Sequence, residues 1–412
     1  MQKVRSWIRR QCKGNGDMIT TLSALTLGIC AAAPIFNVEF IFPPNPKHNH
    51  GSSIVETPRG DLLAAWFHGS GERNADDVII QGARKRKGDD AWSEPFLMAD
   101  TPDLPDCNPV LFMDPRGVLW LFWVAIQDNQ WGGALLKYRT ATSYDAEGPP
   151  AWDWQDVIHT RPKNLEPLFL AVVDNAKEAL APLLAATPRL AEGVEDARAA
   201  AQSKLRSRLG WMTRVHPVMV SDKRLLLGLY SDVFNCSLAA YTEDWGKTWA
   251  CSEPIMDPEA RYLGNIQPSF AQKRDGAIMA FMRDNGIPKY VRTATSDDLG
   301  ETWSRLGMLE IRNPGSSVEC IVLQSGRWLL ICNDTIDGRH ILSAYLSDDE
   351  GATWTISRRI EDRAKGEGSF SYPSVIQAKD GAIHCTYSYS GAGIQGSSIK
   401  HVRFNEAWIA GE

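Results

Sequence analysis

Thr242-Glu-Asp-Trp-Gly-Lys-Thr-Trp249, Ser296-Asp-Asp-Leu-Gly-Glu-Thr-Trp303 and Ser347-Asp-Asp-Glu-Gly-Ala-Thr-Trp354 are three copies of one pattern, about 50 residues apart. Recurrence at that period marks a repeat architecture. Within each copy the Asp and Ser/Thr side chains can bond the turn's own backbone, Gly supplies a positive φ, and Trp is free to pack between units. Weaker versions stand at Lys87-Gly-Asp-Asp-Ala-Trp92 and at Ser143-Tyr-Asp145, Gly148 and Trp152.

Working outward, a second element accompanies the first. Six times a strand-like run meets a tight turn and a second alternating apolar run: SSIVETPRGDLLAAWF, PVLFMDPRGVLWLFW, PVMVSDKRLLLGLY, PSFAQKRDGAIMAFM, VECIVLQSGRWLLIC and PSVIQAKDGAIHCTY. Each reads as a β-hairpin. Gly60, Gly117, Gly276, Gly326 and Gly381 occupy five of the turns, and Ser221-Asp-Lys-Arg224 makes the other. Six hairpins and five box-like turns predict an all-β, six-bladed β-propeller of four-stranded antiparallel blades over residues 37–412. Between Trp152 and Trp249 the spacing nearly doubles, and the stretch at about 160–210 is rich in Ala, Leu, Glu and Arg without strand alternation. It is expected to be a helical insertion of one or two helices.

With 412 residues, 43% hydrophobic content and 15 Trp, the chain can bury a large core. A formal net charge of -6 and a pI near 5.8 argue against nucleic-acid binding. The basic run Arg84-Lys-Arg-Lys87 reads as a solvated loop. Eight Cys without CxxC or Cys/His spacing indicate neither zinc nor a redox pair, so no cofactor or metal site is assigned, while plentiful acidic loops without EF-hand spacing leave calcium open. In the N-terminal segment, residues 1–36, Arg9-Arg10 precedes the apolar Leu22 to Ala33, which resembles an export signal, although Asp17 and a long polar lead depart from one. Periplasmic or secreted and cytoplasmic locations both stay open, while the stretch is too short for a membrane span.

Strand direction assigns two faces. If each innermost strand starts at the top, both the Gly turns and the Asp/Gly/Trp boxes fall at the bottom. The top then gathers the opening positions of the innermost strands: Gly51 beside His50, Asn108, His216, Gln267, Ser317 and Tyr372, with Glu319 on the face of Ser317. Loops after the second strands add Arg73, Asp76 and Asp77; Asp128 and Asn129; Ser231 and Asp232; Arg283, Asp284 and Asn285; Asn333, Asp334 and Arg339. Such a mixture suits an anionic, hydroxyl-rich ligand, because the planar guanidinium pairs with a carboxylate at two points. The helical insertion also leaves from the top, where it is expected to form a wall or lid.

The chain resembles the sialidase (neuraminidase) superfamily, in its bacterial BNR or Asp-box branch, over about residues 48–405. The resemblance implies an arginine triad for a sugar carboxylate, an Asp acid/base, and a Tyr nucleophile activated by a Glu. Met282-Arg283-Asp284 resembles the segment of the second arginine, and Gly338-Arg339-His-Ile-Leu342 that of the third. Phe370-Ser-Tyr372-Pro-Ser374 resembles the nucleophile's segment, and Asp76 or Asp77 lies in the region of the acid/base. Two positions depart: His48-Asn-His50 stands where the first arginine's motif would open the first blade, and Gln267 where the activating Glu would be. Gln cannot take a phenol's proton, which leaves Glu319 as the alternative base.

The leading expectation is a sialidase-like exo-glycoside hydrolase acting on an acidic sugar at a glycan terminus. Its catalytic candidates are Asp76, Asp77, Tyr372, His50 and Glu319, with Arg283, Arg339, Arg73, His48, Asn108, His216 and Gln267 in substrate binding. A polysaccharide lyase or rhamnosidase acting on a rhamnose-uronate linkage, with His50 as base or acid, is the second expectation, and a carbohydrate-binding propeller without turnover the third. In each case the partner is an acidic oligosaccharide or glycoconjugate, and the protein a monomer.

Overall fold

The computed structural model describes residues 33–411 except 392 and 394, so the stretch read as a possible export signal lies outside the described residues. Six antiparallel sheets follow one another along the chain. Their innermost strands begin at His48, Asp106, Met212, Asn265, Glu319 and Gly368, which number blades 1 to 6. Blade 1 is typical: His48–Glu56, Leu62–Gly69, Ile79–Lys85 and Phe96–Ala99 lie side by side in chain order. Blade 6 differs in its outermost strand, Phe36–Phe40, which comes from the N-terminal side and pairs with Ser398–Phe404 in the register Phe36↔Phe404. That pairing closes the ring, and the sequence patterns gave no sign of it.

Blades press against neighbours on both faces, so their second strands are apolar without alternation. Leu119–Ile126 is buried at every position. Trp66, Trp120, Trp123, Trp211 and Trp328 are fully buried between sheets. At about 25 cal/mol per Å² and 150–250 Å² for each aromatic, such a side chain contributes roughly 4–6 kcal/mol of burial energy.

The boxes form the expected bottom turns. In the first, Gly246 N donates to Thr242 Oγ1 (2.9 Å), while Thr248 N and Oγ1 donate to the Asp244 carboxylate (2.8 and 2.7 Å). The copies at Ser296 and Ser347 repeat these bonds. Glycine is required twice over at Gly246: φ is +85°, and a Cβ there would lie 2.8 Å from the Trp120 ring of blade 2.

The insertion is two helices, α1 (Leu165–Ala186) and α2 (Pro188–Gln202). Phe169 of α1 packs edge-on against Phe234 (centroids 5.3 Å), which stacks in turn on Trp211 (5.7 Å). Asn175 Nδ2 donates to Pro258 O at 2.7 Å. These contacts make the hairpin a brace behind the loop that carries Asp232; no recorded contact of the described helix residues reaches the arginine–tyrosine cluster of the mouth, where a wall or lid was expected.

Candidate functional site

Four innermost strands break register at the same level: between His50 and Ser53, Cys107 and Val110, Ile266 and Ser269, and Ser371 and Ser374. At each break one residue takes left-handed backbone, namely Gly51 (φ 61°), Asn108 (55°), Gln267 (59°) and Tyr372 (59°). The bulge turns the side chains of Asn108, Gln267 and Tyr372 out of the strand's alternation and into the mouth of the ring. For the three with a Cβ the conformation costs about 1–2 kcal/mol each, a strain typical of working sites. Two residues beyond three of the bulges a serine bonds the next blade: Leu111 N donates to Ser53 Oγ, Cys320 N to Ser269 Oγ, and Ile54 N to Ser374 Oγ. Blade 3 reaches the same end by a gap. Its innermost strand is split into Met212–Thr213 and Val218–Met219, which frees Arg214 and His216 from the ladder.

Tyr372 is the centre of the mouth. Arg283 Nη1 donates to its Oη at 3.1 Å, and the Arg339 and Arg214 guanidiniums lie 5.1 and 5.0 Å from its ring centre. The His50 ring stands edge-on at 4.3 Å. Burial pushes the Tyr372 phenol up, but Arg283 and Arg339, with the adjacent Gln267 amide, bring it below its ordinary value of 10. His50 is held well below its ordinary range by burial first, then by His48 and the three arginines. A neutral imidazole therefore abuts a phenol biased toward ionisation. Arg283 and Arg339 converge as the sequence suggested: Arg283 Nη2 also donates to Asn285 Oδ1 (3.2 Å), its buried Nε has no partner among the described residues, and Arg339 donates to Ser371 Oγ (3.5 Å) and Gly315 O (3.3 Å). Gln267 adjoins the hydroxyls of both Tyr372 and Tyr230, yet its buried Oε1 accepts no hydrogen bond from the described residues. Asn108 Nδ2 donates to Tyr230 Oη at 3.1 Å, which assigns it to positioning that second tyrosine.

Arg214 was missed in the sequence. Its side chain is buried, and it donates to Ser52 O, Tyr372 O and Pro373 O, so it holds the tyrosine's backbone and leaves little for a ligand. The available signal was an Arg two residues before a ring position, on a strand the resemblance did not connect with arginine.

Glu319 and His216 take different roles from those expected. Glu319, fully buried, accepts from His216 N (3.0 Å), His216 Nδ1 (2.6 Å) and Val375 N (2.8 Å). None of its recorded bonds reaches the Tyr372 hydroxyl, which corrects the expectation of a substitute base. His216 Nε2 meets Ile54 O at 2.7 Å. With acceptors at both nitrogens, both carry protons and the ring is an imidazolium. Burial opposes that charge, but Glu319 raises the His216 pKa overall. The trio is thus an internal ion cluster that leaves His216 no free donor for substrate.

The first loop is also rearranged. Asp77 is exposed, pairs with Lys47 (2.8 Å) and accepts from Ser70 N and Oγ; the Lys47 and Ser70 bonds hold its carboxyl well below the usual range. Asp76, also exposed, accepts from Asn129 Nδ2 at 2.8 Å. Both tie loops at the rim. The carboxylate nearest the cluster from this loop is Glu72, 3.7 Å from His48 Nε2 and 4.0 Å from Arg73, whose guanidinium covers Trp131 (5.2 Å). His48 itself is anchored through Nδ1 on Gly71 O. Across the mouth, Asp232 keeps accessible surface, and surrounding protein raises its carboxyl above the usual range against Arg283 and Arg73.

Comparison with known proteins agrees with this architecture. A 159-residue stretch is 28% identical to a protein named Sialidase from Paraclostridium sordellii; it covers 34% of this chain and only 38% of that relative's length. Among solved structures, a protein of unknown function from Dyadobacter fermentans aligns with a TM-score of 0.66 at 15% identity, over 89% of this chain and 97% of that one. A leech intramolecular trans-sialidase aligns at 0.64 and 14% identity, over 91% and 70%. At such identities the likeness is one of fold. The family described as BNR repeat-like domain matches residues 60–170 and 200–385, and the gap falls within the helical hairpin that interrupts the blades. Six blades with the box turns intact, and a family match over most of the ring, place this chain in the BNR repeat-like domain family.

Proposed function

We propose that the protein is a sialidase-type exo-glycosidase that releases a carboxylate-bearing terminal sugar. The observation that carries this reading is the convergence of Arg283 and Arg339 on the hydroxyl and ring of Tyr372. The two guanidiniums grip the sugar carboxylate, and Tyr372 Oη attacks the anomeric carbon, which sets the enzyme among the exceptions to two-carboxylate glycoside hydrolysis. The arginines stabilise the phenolate, and His50, whose ring abuts that of Tyr372, is the candidate acceptor for the proton that Gln267 cannot accept. Glu72 is the candidate to protonate the leaving oxygen, in place of Asp76 or Asp77. Release of fluorophore from an umbelliferyl sialoside, lost in Tyr372→Phe and Arg283→Ala, tests this reading. Absence of any hydrolysed product from a panel of acidic glycans would overturn it.

A second reading rests on Gln267 and on the His50–Tyr372 contact. With no carboxylate beside the tyrosine, Tyr372 and His50 can instead remove the proton next to a uronate carboxylate held by the arginines and so eliminate the glycosidic oxygen. Mass analysis separates the two: hydrolysis adds water, elimination leaves an unsaturated uronate. Binding without either product favours the non-catalytic alternative.

A further inference from the structure

On the face opposite Tyr372, blades 2 and 3 enclose a groove of about 570 Å³, within the size range of small-ligand sites. Its floor is Tyr138 with the edge of Trp120, stacked at 5.5 Å. One wall is Trp154, on the outermost strand of blade 2 and 57% exposed. The other is Trp245, the variable residue of the first Asp/Gly/Trp box.

Folding does not account for the exposure of Trp154, and it accounts for Trp245 only in part, through one edge packed against the core. The equivalent box positions are Leu299 and Glu350, which share the left-handed φ of Trp245 (57° and 56° against 60°), so the turn does not call for an aromatic. Trp154 spreads an indole on a solvent-facing edge where apolar surface is a liability. Yet both rings are fixed. Trp154 Nε1 donates to Tyr138 Oη (3.2 Å), which donates to Gly246 O (3.0 Å). Trp245 lies 4.0 Å beneath the Arg116 guanidinium, itself paired with Asp114. Trp154 presents an accessible aromatic plane and Trp245 a half-buried ring beneath Arg116, both held before a ligand arrives, so little ordering cost remains.

The polar lining identifies the ligand class. Asp153 and Asp156 stand beside Trp154, each with an oxygen that accepts no recorded bond from the described residues, and Thr140 and Thr142 line the same side. Lys247 adds donors near Trp245. Aromatic faces suit the C–H surfaces of a pyranose, while carboxylates and donors of both charges around them match a ring of hydroxyls without favouring a charged group. We propose that this groove is a second carbohydrate site, which takes an uncharged pyranose segment of a glycan chain whose reactive end lies elsewhere. The assignment is independent of which bond, if any, is cut at Tyr372.

Affinity electrophoresis of the full chain in native gels containing hydroxyethylcellulose, xylan, galactomannan or mucin tests it. Retardation by at least one polymer is expected, weakened roughly ten-fold in Trp154→Ala and in Trp245→Ala, the loss of one stacked ring. Trp154→Phe retains most of the affinity. Far-ultraviolet circular dichroism confirms that each variant is folded. No retardation in any gel, or retardation unchanged in both tryptophan variants, overturns the proposal. So does Trp154-dependent binding of a proline-rich peptide without binding of any polysaccharide.

Discussion

Glu319→Ala separates two roles for the buried carboxylate. The structure makes it the counter-ion of Arg214 and His216 and the acceptor of two backbone N–H groups, all out of water. Truncation leaves two buried cations uncompensated, a loss of about 3–5 kcal/mol. Unfolding entropy of about 2.1 cal/mol/K per residue over roughly 380 residues gives about 0.8 kcal/mol/K, so Tm should fall by roughly 4–6 °C in calorimetry at neutral pH. The pH dependence has a fixed sign. His216 has a folded pKa raised above its ordinary 6.5, so its contribution is complete below 6.5 and is lost as pH rises through the folded value. The variant lacks that contribution, so the Tm gap narrows toward alkaline pH, while the Arg214 and backbone terms keep it open. A Tm within about 1 °C of the parent at neutral pH, together with abolished turnover, would refute the counter-ion role and return Glu319 to the position of catalytic base.

Three further outcomes follow from the same geometry. Gln267→Glu puts a carboxylate beside Tyr372 and should raise sialoside turnover roughly ten-fold or more, as a positioned base does; an unchanged rate would show that proton removal from Tyr372 is not limiting. Arg283→Ala should cost about 100-fold or more in kcat/KM and move the Tyr372 phenol back up toward 10, read in ultraviolet titration against Tyr372→Phe. At the ring closure, burial pushes the Glu39 carboxyl up, but hydrogen bonds from His401 and Lys85 hold it at about 2. That stability is complete above 4.5 and lost as pH falls toward 2, so a thermal-melt difference between the parent and Glu39→Gln should fade over this interval.

The blades were legible because their signals are local. A box folds on its own backbone, and a hairpin shows its turn and alternation within about fifteen residues. Even the ring of opening positions was readable, since the register breaks at Gly51, Asn108, Gln267 and Tyr372 fall where the hairpin spacing placed them. What escaped depends on through-space placement. Glu72 and Asp77 lie in one loop, and only its fold decides that the first approaches the mouth while the second turns to Lys47. Arg214 reaches Tyr372 across the axis, 158 residues away in sequence. Glu319 was correctly placed on its strand, but a strand pattern cannot show that a histidine and two amides already claim its oxygens.

The strand Phe36–Phe40 also imposes an order on biosynthesis. Ile35 bonds Asn405, 370 positions later. At about 5–20 residues per second, the completing strand leaves the ribosome roughly 20–70 s after its partner. Throughout that interval the nascent protein carries an unsatisfied strand at its leading end and an open, adhesive edge on each newest blade. Sealing of the ring therefore waits for the sixth blade, and a product interrupted before Ser398 would hold five finished blades yet remain prone to pair with other chains.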